Sequence, residues 1–212
     1  MSIETVDLPG FGVILADLPK DLFELLKVEA EEAPLKNKEM ISGLSGMGVP
    51  THYYLENNEV RAKLQQFTLN LMTDYVNTFP GYMETVNFLT HNVPFTFSEI
   101  WLNYQKAYDF IPNHVHTGIL SFSAWIKIPA NIHKTFNNRI QQTGCFEFCY
   151  LANDSRIRTK LLPVDQSYEG KIIMFPSTLT HCVYPFYNTE DTRISLSGNI
   201  MLDTTSSAIR GY

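Results

Sequence analysis

A change of hydrophobic period near residue 94 constrains this chain more than any other feature. Upstream, the apolar positions follow a helical repeat. Val60, Leu64, Phe67, Leu71 and Tyr75 recur at steps of four, three, four and four, which puts them on one face of a helix. Asn57-Asn58 opens that helix, and it ends before Pro80-Gly81. A second amphipathic run, Leu22, Phe23, Leu25, Leu26 and Val28, follows Pro19-Lys20-Asp21, with Asp21 as its N-cap. Downstream the segments shorten and read as strands: Phe95–Gln105, Ile119–Ile128, Cys145–Leu151, Lys171–Phe175, Cys182–Phe186 and Arg193–Leu202. Pro112-Asn113, Pro129-Ala130-Asn131, Asn153-Asp154-Ser155, Glu169-Gly170 and Asn188-Thr189-Glu190-Asp191 mark turns between them. Strands with no long helix among them predict an antiparallel sandwich or barrel, with the early helices packed outside. The 212 residues are therefore expected to form one domain: a helical region 1–92, a β core 93–203 and a tail 204–212.

The bulk properties agree and narrow the function. Fourteen Phe and eleven Tyr suit a sheet-rich core. A net charge of −6 with no basic stripe argues against a nucleic-acid backbone as main partner. No run of about eighteen apolar residues is present, so no membrane span is expected. Met1–Asp7 lacks the basic and apolar regions of a secretory signal, and the three cysteines, Cys145, Cys149 and Cys182, form no disulfide framework. A reducing, cytoplasmic setting is expected, the host cytoplasm if the protein is viral. Cys145-x3-Cys149 reads as two buried thiols on one strand face rather than as half of a zinc site. The glycines at 43, 46 and 48 lack the Gly-Lys-Ser/Thr ending of a phosphate loop, and the segment is expected to be a loop that closes over a site as a lid.

The chemistry concentrates in the histidines. His114 and His116 are one residue apart, and residues at i and i+2 of a strand share a face, so the two could grip one metal. His181 follows a buried strand, and Arg193-Ile194-Ser195 comes on the next one. A distal histidine would complete a facial metal set with open positions, and a planar guanidinium suits the carboxylate of an acidic co-substrate. His52 and His133 have no partner pattern and read as structural, while His91, just before the strand region, could touch the site on position alone. Arg193 could instead form a surface ion pair with Glu190 or Asp191, and Tyr104 could be a core residue.

Taken together, His114-x-His116, His181 and Arg193-x-Ser195 resemble the signature of the 2-oxoglutarate- and iron(II)-dependent oxygenases: His-x-Asp/Glu, a distal His, then Arg-x-Ser. Glu169–Ser177 looks like that family's Gly-led strand running up to the distal histidine, and Trp101-Leu102-Asn103-Tyr104 is similar to small oxygenases of bacteria and of tailed phages of marine cyanobacteria. The resemblance spans residues 95–203. It implies a mainly β fold with flanking helices around a double-stranded β-helix (jelly-roll) core. It also implies Fe(II), 2-oxoglutarate and O2, with ascorbate as a supporting reductant. His114, His116 and His181 would be the metal-binding, catalytic residues. Arg193, Ser195 and Tyr104 would bind the co-substrate, with Lys127 as an alternative anchor. The implied reaction is hydroxylation of a peptide or protein side chain, or of a small metabolite, with release of succinate and CO2.

One departure stands out. His116 occupies the acidic position of His-x-Asp/Glu if His114 is the first ligand. In the other register His116 is first and Gly118 takes the acidic position, similar to aspartyl/asparaginyl β-hydroxylases. The three-histidine register is preferred. Two other functions stay open at this point: a cupin-like metal dioxygenase that does not use 2-oxoglutarate, and a non-catalytic metal-binding phage module.

Overall fold

The computed structural model describes residues 3–8, 11–40, 48–86, 94–133, 135–136 and 139–203. Its elements are β1 (Ile3–Leu8), β2 (Phe11–Asp17), α1 (Lys20–Lys36), β3 (Thr51–Tyr54), α2 (Asn58–Thr78), α3 (Pro80–Thr85), β4 (Phe95–Gln105), β5 (Ile111–His114), β6 (Leu120–Lys127), β7 (Thr135–Phe136), β8 (Arg139–Ile140), β9 (Phe146–Leu151), β10 (Ile157–Leu162), β11 (Lys171–Pro176), β12 (Thr180–Val183) and β13 (Arg193–Leu202). Seven strands form the larger sheet in the order β1-β2-β11-β6-β13-β4-β3, and four form a smaller one, β10-β9-β12-β5. Their pairings are antiparallel throughout. This is the double-stranded β-helix expected, with the helices on one outer face.

Alternation along the strands decides what each face does. On β6, Phe122, Ala124 and Ile126 face the helices, with Leu26, Leu64, Leu71 and Tyr75 in the same buried cluster. Trp125, between them, faces the smaller sheet, as do Ile173 and Phe175 of β11. There they meet Phe146 and Phe148 of β9; the Phe148 and Phe175 ring centroids are 5.1 Å apart. The same alternation on β4 sends Ile100, Leu102 and Tyr104 to the helices and leaves Trp101, Asn103 and Gln105 facing inward.

Helix α2 starts where the sequence suggests: the Asn57 side chain caps it by accepting from Glu59 N at 3.1 Å and Val60 N at 3.2 Å. Helix α1 differs by one turn position. It begins at Lys20 after Pro19, so Asp21 lies in the first turn, where its charge suits the helix dipole, rather than at the cap. The larger correction concerns residues 1–92, which are not only helical. Phe11–Asp17 is an apolar β-branched run that pairs with β11, and β1 and β3 form the two edges of the larger sheet. β5 was hidden by Pro112, which reads as a turn residue. It is tolerated because β5 is an edge strand. No helix among the described residues is long and apolar enough to cross a membrane.

Tyr104 requires a second correction. Its hydroxyl donates to Ala30 O at 2.6 Å, tying β4 to α1 on the helix-facing side, away from the inward-facing Asn103 and Gln105. Tyr104→Phe should therefore cost about 0.5–1.5 kcal/mol of stability, read by denaturant unfolding, and leave the affinity for 2-oxoglutarate unchanged.

Candidate metal centre

A cavity of about 360 Å³ is lined by the three histidines together with Trp101, Asn103, Gln105, Arg193 and Ser195. His181 and His114 are directly opposite one another across β12 and β5. Their ring centroids are 4.2 Å apart, and the His116 ring lies 4.9 Å from His114 and 5.1 Å from His181. One ring nitrogen from each falls within 4.8 Å of the others, the only such group of histidine, cysteine or acidic side chains found among the described residues.

Of the closely spaced pair His114 and His116, only His114 is on a strand. His116 lies beyond the end of β5, in a loop, which corrects the expectation of a shared strand face. Backbone bonds hold that loop: His116 N donates to Ser177 O at 2.8 Å, Ser177 N to Ile119 O at 3.1 Å, and Ile119 N to Ile200 O at 2.8 Å. Gly118 has φ +128°, and a Cβ there would come within 2.8 Å of Ile200 O, so the loop requires glycine. This position packs on β13 and has no room for a carboxylate.

Two of the imidazoles have fixed tautomers. His114 Nδ1 is 2.7 Å from Pro112 O, and His181 Nδ1 is 2.8 Å from Leu179 O. A carbonyl only accepts, so Nδ1 carries the proton and Nε2 keeps a lone pair, the state a metal ligand needs. Burial reinforces neutrality. It lowers the His114 pKa, brings His116 to about 4 with help from His114, and brings His181 to about 3, again helped by His114. The aromatic wall causes much of this: Phe146 stacks on His181 at 5.5 Å and Phe175 meets it edge-on at 4.9 Å.

Arg193 is buried on the opposite wall. Its Nε and Nη2 donate to Gln105 Oε1, the former at 2.9 Å, and Nη1 donates to Gly144 O. The guanidinium lies 5.7 Å from the Phe186 ring. Burial lowers its pKa to about 10, so it remains cationic at neutral pH. Among the described residues it forms no ion pair; Glu190 and Asp191 are exposed and do not reach it. Beside it, Asn103 Nδ2 donates to Ser195 Oγ at 3.2 Å and Ser197 Oγ at 3.1 Å, while Trp101 Nε1 donates to Asn103 Oδ1 at 3.0 Å.

The other sequence candidates separate clearly. Lys127 is exposed at the end of β6 and does not line the cavity. His133 is structural, with its two ring nitrogens 2.8 Å from Thr143 O and 2.9 Å from Val164 O. His52, expected to be structural, lines the cavity mouth. Cys145 is buried just before β9 and Cys149 is half-buried on it; both are free thiols. His91 and residues 41–47 of the glycine-rich segment lie outside the described residues. Gln105 and Asn103 were missed. The signal was their parity with Trp101 on one strand, and it becomes meaningful only once β13 is known to be the neighbour.

The fold is a double-stranded β-helix, and the histidine-lined cavity within it is a candidate metal centre. Residues 99–199 match the profile described as "Putative 2OG-Fe(II) oxygenase", so over this core the chain is similar to the 2-oxoglutarate/iron(II) oxygenases. The cofactors of that family are Fe(II), 2-oxoglutarate and O2, and three neutral imidazoles beside a buried unpaired cation fit them. Among solved structures, the chain is similar to a prolyl-4-hydroxylase from Pseudomonas putida (16% identity, 91% of this chain and 94% of that one, TM-score 0.56). It is also similar to the α-ketoglutarate-dependent epimerase SnoN of nogalamycin biosynthesis (11% identity, 91% and 77%, TM-score 0.57) and to HygX from Streptomyces hygroscopicus, solved with nickel and 2-oxoglutarate (10% identity, 96% and 91%, TM-score 0.51). At these identities the likeness establishes the fold. A search of curated proteins returned no match.

The histidines give the metal-free protein a specific pH dependence. In the unfolded chain an imidazole takes up a proton near about pH 6.5. In the folded chain His116 and His181 stay neutral down to about 4 and about 3. Between these values the unfolded state binds more protons, so stability must fall as pH is lowered through that window. Urea midpoints of metal-free protein measured from pH 7 down to pH 4.5 should show this fall, with a shallower slope in His116→Gln. An equal slope in the variant would contradict the assignment.

Proposed function

We propose that the protein is an iron(II)- and 2-oxoglutarate-dependent hydroxylase. In this reading His114, His116 and His181 hold the metal through Nε2, and Arg193, with the Ser195 hydroxyl, holds the far carboxylate of 2-oxoglutarate. The observation that carries it is the buried guanidinium of Arg193, which has no acidic partner among the described residues and lines the same cavity as three neutral imidazoles. A buried cation is costly unless something anionic compensates it, and a dicarboxylate bound across the cavity would do so.

When bound, iron(II) with 2-oxoglutarate and O2 supplies the oxidative decarboxylation to succinate and CO2 and the oxidation of a substrate C–H bond. The chain supplies orientation and shielding. The Nδ1–H bonds of His114 and His181 to backbone carbonyls hold their rings and leave each Nε2 lone pair free, so these nitrogens would hold the metal. Phe146, Phe175 and Trp125 keep water from one wall, which strengthens every charge interaction inside. Arg193 presents a planar fork, so it sets the tilt of the co-substrate as well as its place.

For the primary substrate, the reading favours a peptide or protein side chain, with a small metabolite next. The first is supported by likeness to a prolyl-4-hydroxylase, and the spread of neighbours, which includes an epimerase, keeps the class broad. Three free thiols and a net charge of −6 suit a cytoplasmic protein whose partner is not a nucleic acid.

Uncoupled succinate production from 2-oxoglutarate, with iron(II) and ascorbate, tests the reading. The intact protein should turn over. Arg193→Ala should lose 2-oxoglutarate affinity on the order of 100-fold while still binding iron(II), because a charge-assisted pair is removed and the metal ligands are untouched. His181→Ala should lose stoichiometric iron(II). Iron binding without any response to 2-oxoglutarate would favour a cupin-like dioxygenase. Stoichiometric iron(II) retained by His181→Ala would overturn the ligand set.

A further inference from the structure

A guanidinium has five N–H donors, and the described residues use three of those of Arg193. One on Nε and one on Nη2 go to Gln105 Oε1, and one on Nη1 goes to Gly144 O. Among the described residues one N–H is therefore left on each terminal nitrogen, and both Arg193 and Gln105 line the histidine cavity. A pair of N–H groups on the two terminal nitrogens matches the two oxygens of a carboxylate.

Gln105 cannot turn over to change this. Its Nε2 donates to Asp109 O at 2.7 Å and to Tyr184 O at 3.3 Å. Both are carbonyls that only accept, so the amide nitrogen must face them and the amide oxygen must face Arg193. The two side chains sit directly opposite one another on β4 and β13, and each is only 3% exposed. The nearby carboxylate of Asp109 is turned to the backbone, where its Oδ2 accepts from Lys106 N at 2.8 Å. The guanidinium is thus held by neutral oxygens. A glutamate at 105 would hold it by the same edge but cancel its charge.

We propose that Gln105 is a positioning residue for the co-substrate: its neutral amide oxygen aims Arg193 so that the remaining N–H pair receives the far carboxylate of 2-oxoglutarate at full positive charge. The inference rests on the 2-oxoglutarate reading above and deepens it.

The test compares two ligands on the full-length, iron(II)-loaded protein by anaerobic calorimetry: 2-oxoglutarate, and 2-oxobutyrate, which lacks the far carboxylate. Gln105→Glu should weaken 2-oxoglutarate on the order of 10- to 100-fold, the range of one charge-assisted contact, and leave 2-oxobutyrate and iron(II) affinities as in the wild type. Gln105→Met, which removes the aim but not the charge, should show the same selective loss, smaller in size, and serves if the glutamate variant does not fold. A merely structural role would weaken both ligands alike, and that result overturns the proposal. So does an unchanged affinity for 2-oxoglutarate in either variant. Failure of the wild type itself to bind 2-oxoglutarate would instead overturn the functional reading beneath it.

Discussion

The antiparallel register of β13 between β4 and β6 is the constraint on which the rest of the site depends. It sets Arg193 opposite Gln105, Ser195 opposite Asn103 and Ser197 opposite Trp101. Because strand side chains alternate, this register sends one polar set inward and one apolar set, Leu102, Leu196 and Ile194 among them, to the helices. A slip of one residue would bury the guanidinium against α1 and turn leucines into the cavity. The apolar face therefore enforces the polar one: the hydrophobic contact with the helices fixes where Arg193 must be.

The electrostatics of the cavity follow from that placement. Three imidazoles that burial keeps neutral leave the charge of a divalent ion uncompensated, where a set with one carboxylate would offset one unit. Arg193 adds a further positive charge on the facing wall, held by amide and carbonyl oxygens rather than by an acid. Such a cavity suits a dianion better than a neutral ligand, since metal and guanidinium both favour it. Low dielectric from Phe146, Phe175 and Trp125 enlarges both effects.

Much of this was legible in the sequence because it rests on local patterns. The periods on either side of residue 94 gave α2, and β4 and β13 with their observed bounds. His114, His116, His181, Arg193 and Ser195 stood out by spacing and do converge. What was not legible depends on pairing between distant segments. Tyr104 and Gln105 are neighbours on one strand, and only the sheet's neighbours decide which of them faces the cavity. β5 was masked by Pro112, whose turn-like chemistry is harmless at an edge. Phe11–Asp17 carried a strand signal within a region dominated by helices, and one of its two partners, β11, lies far along the chain. His52 entered the cavity because β3 pairs with β4, which no local pattern announces.

In the function proposed above, one cavity binds iron(II) through three histidines and 2-oxoglutarate through Arg193. A crystal structure of the protein grown anaerobically with iron(II) and 2-oxoglutarate tests it most directly. The expected result is metal density joined to Nε2 of His114, His116 and His181, with the far carboxylate of 2-oxoglutarate on the terminal nitrogens of Arg193. Metal held by only two of these histidines, or a co-substrate whose far carboxylate lies away from Arg193, would contradict it.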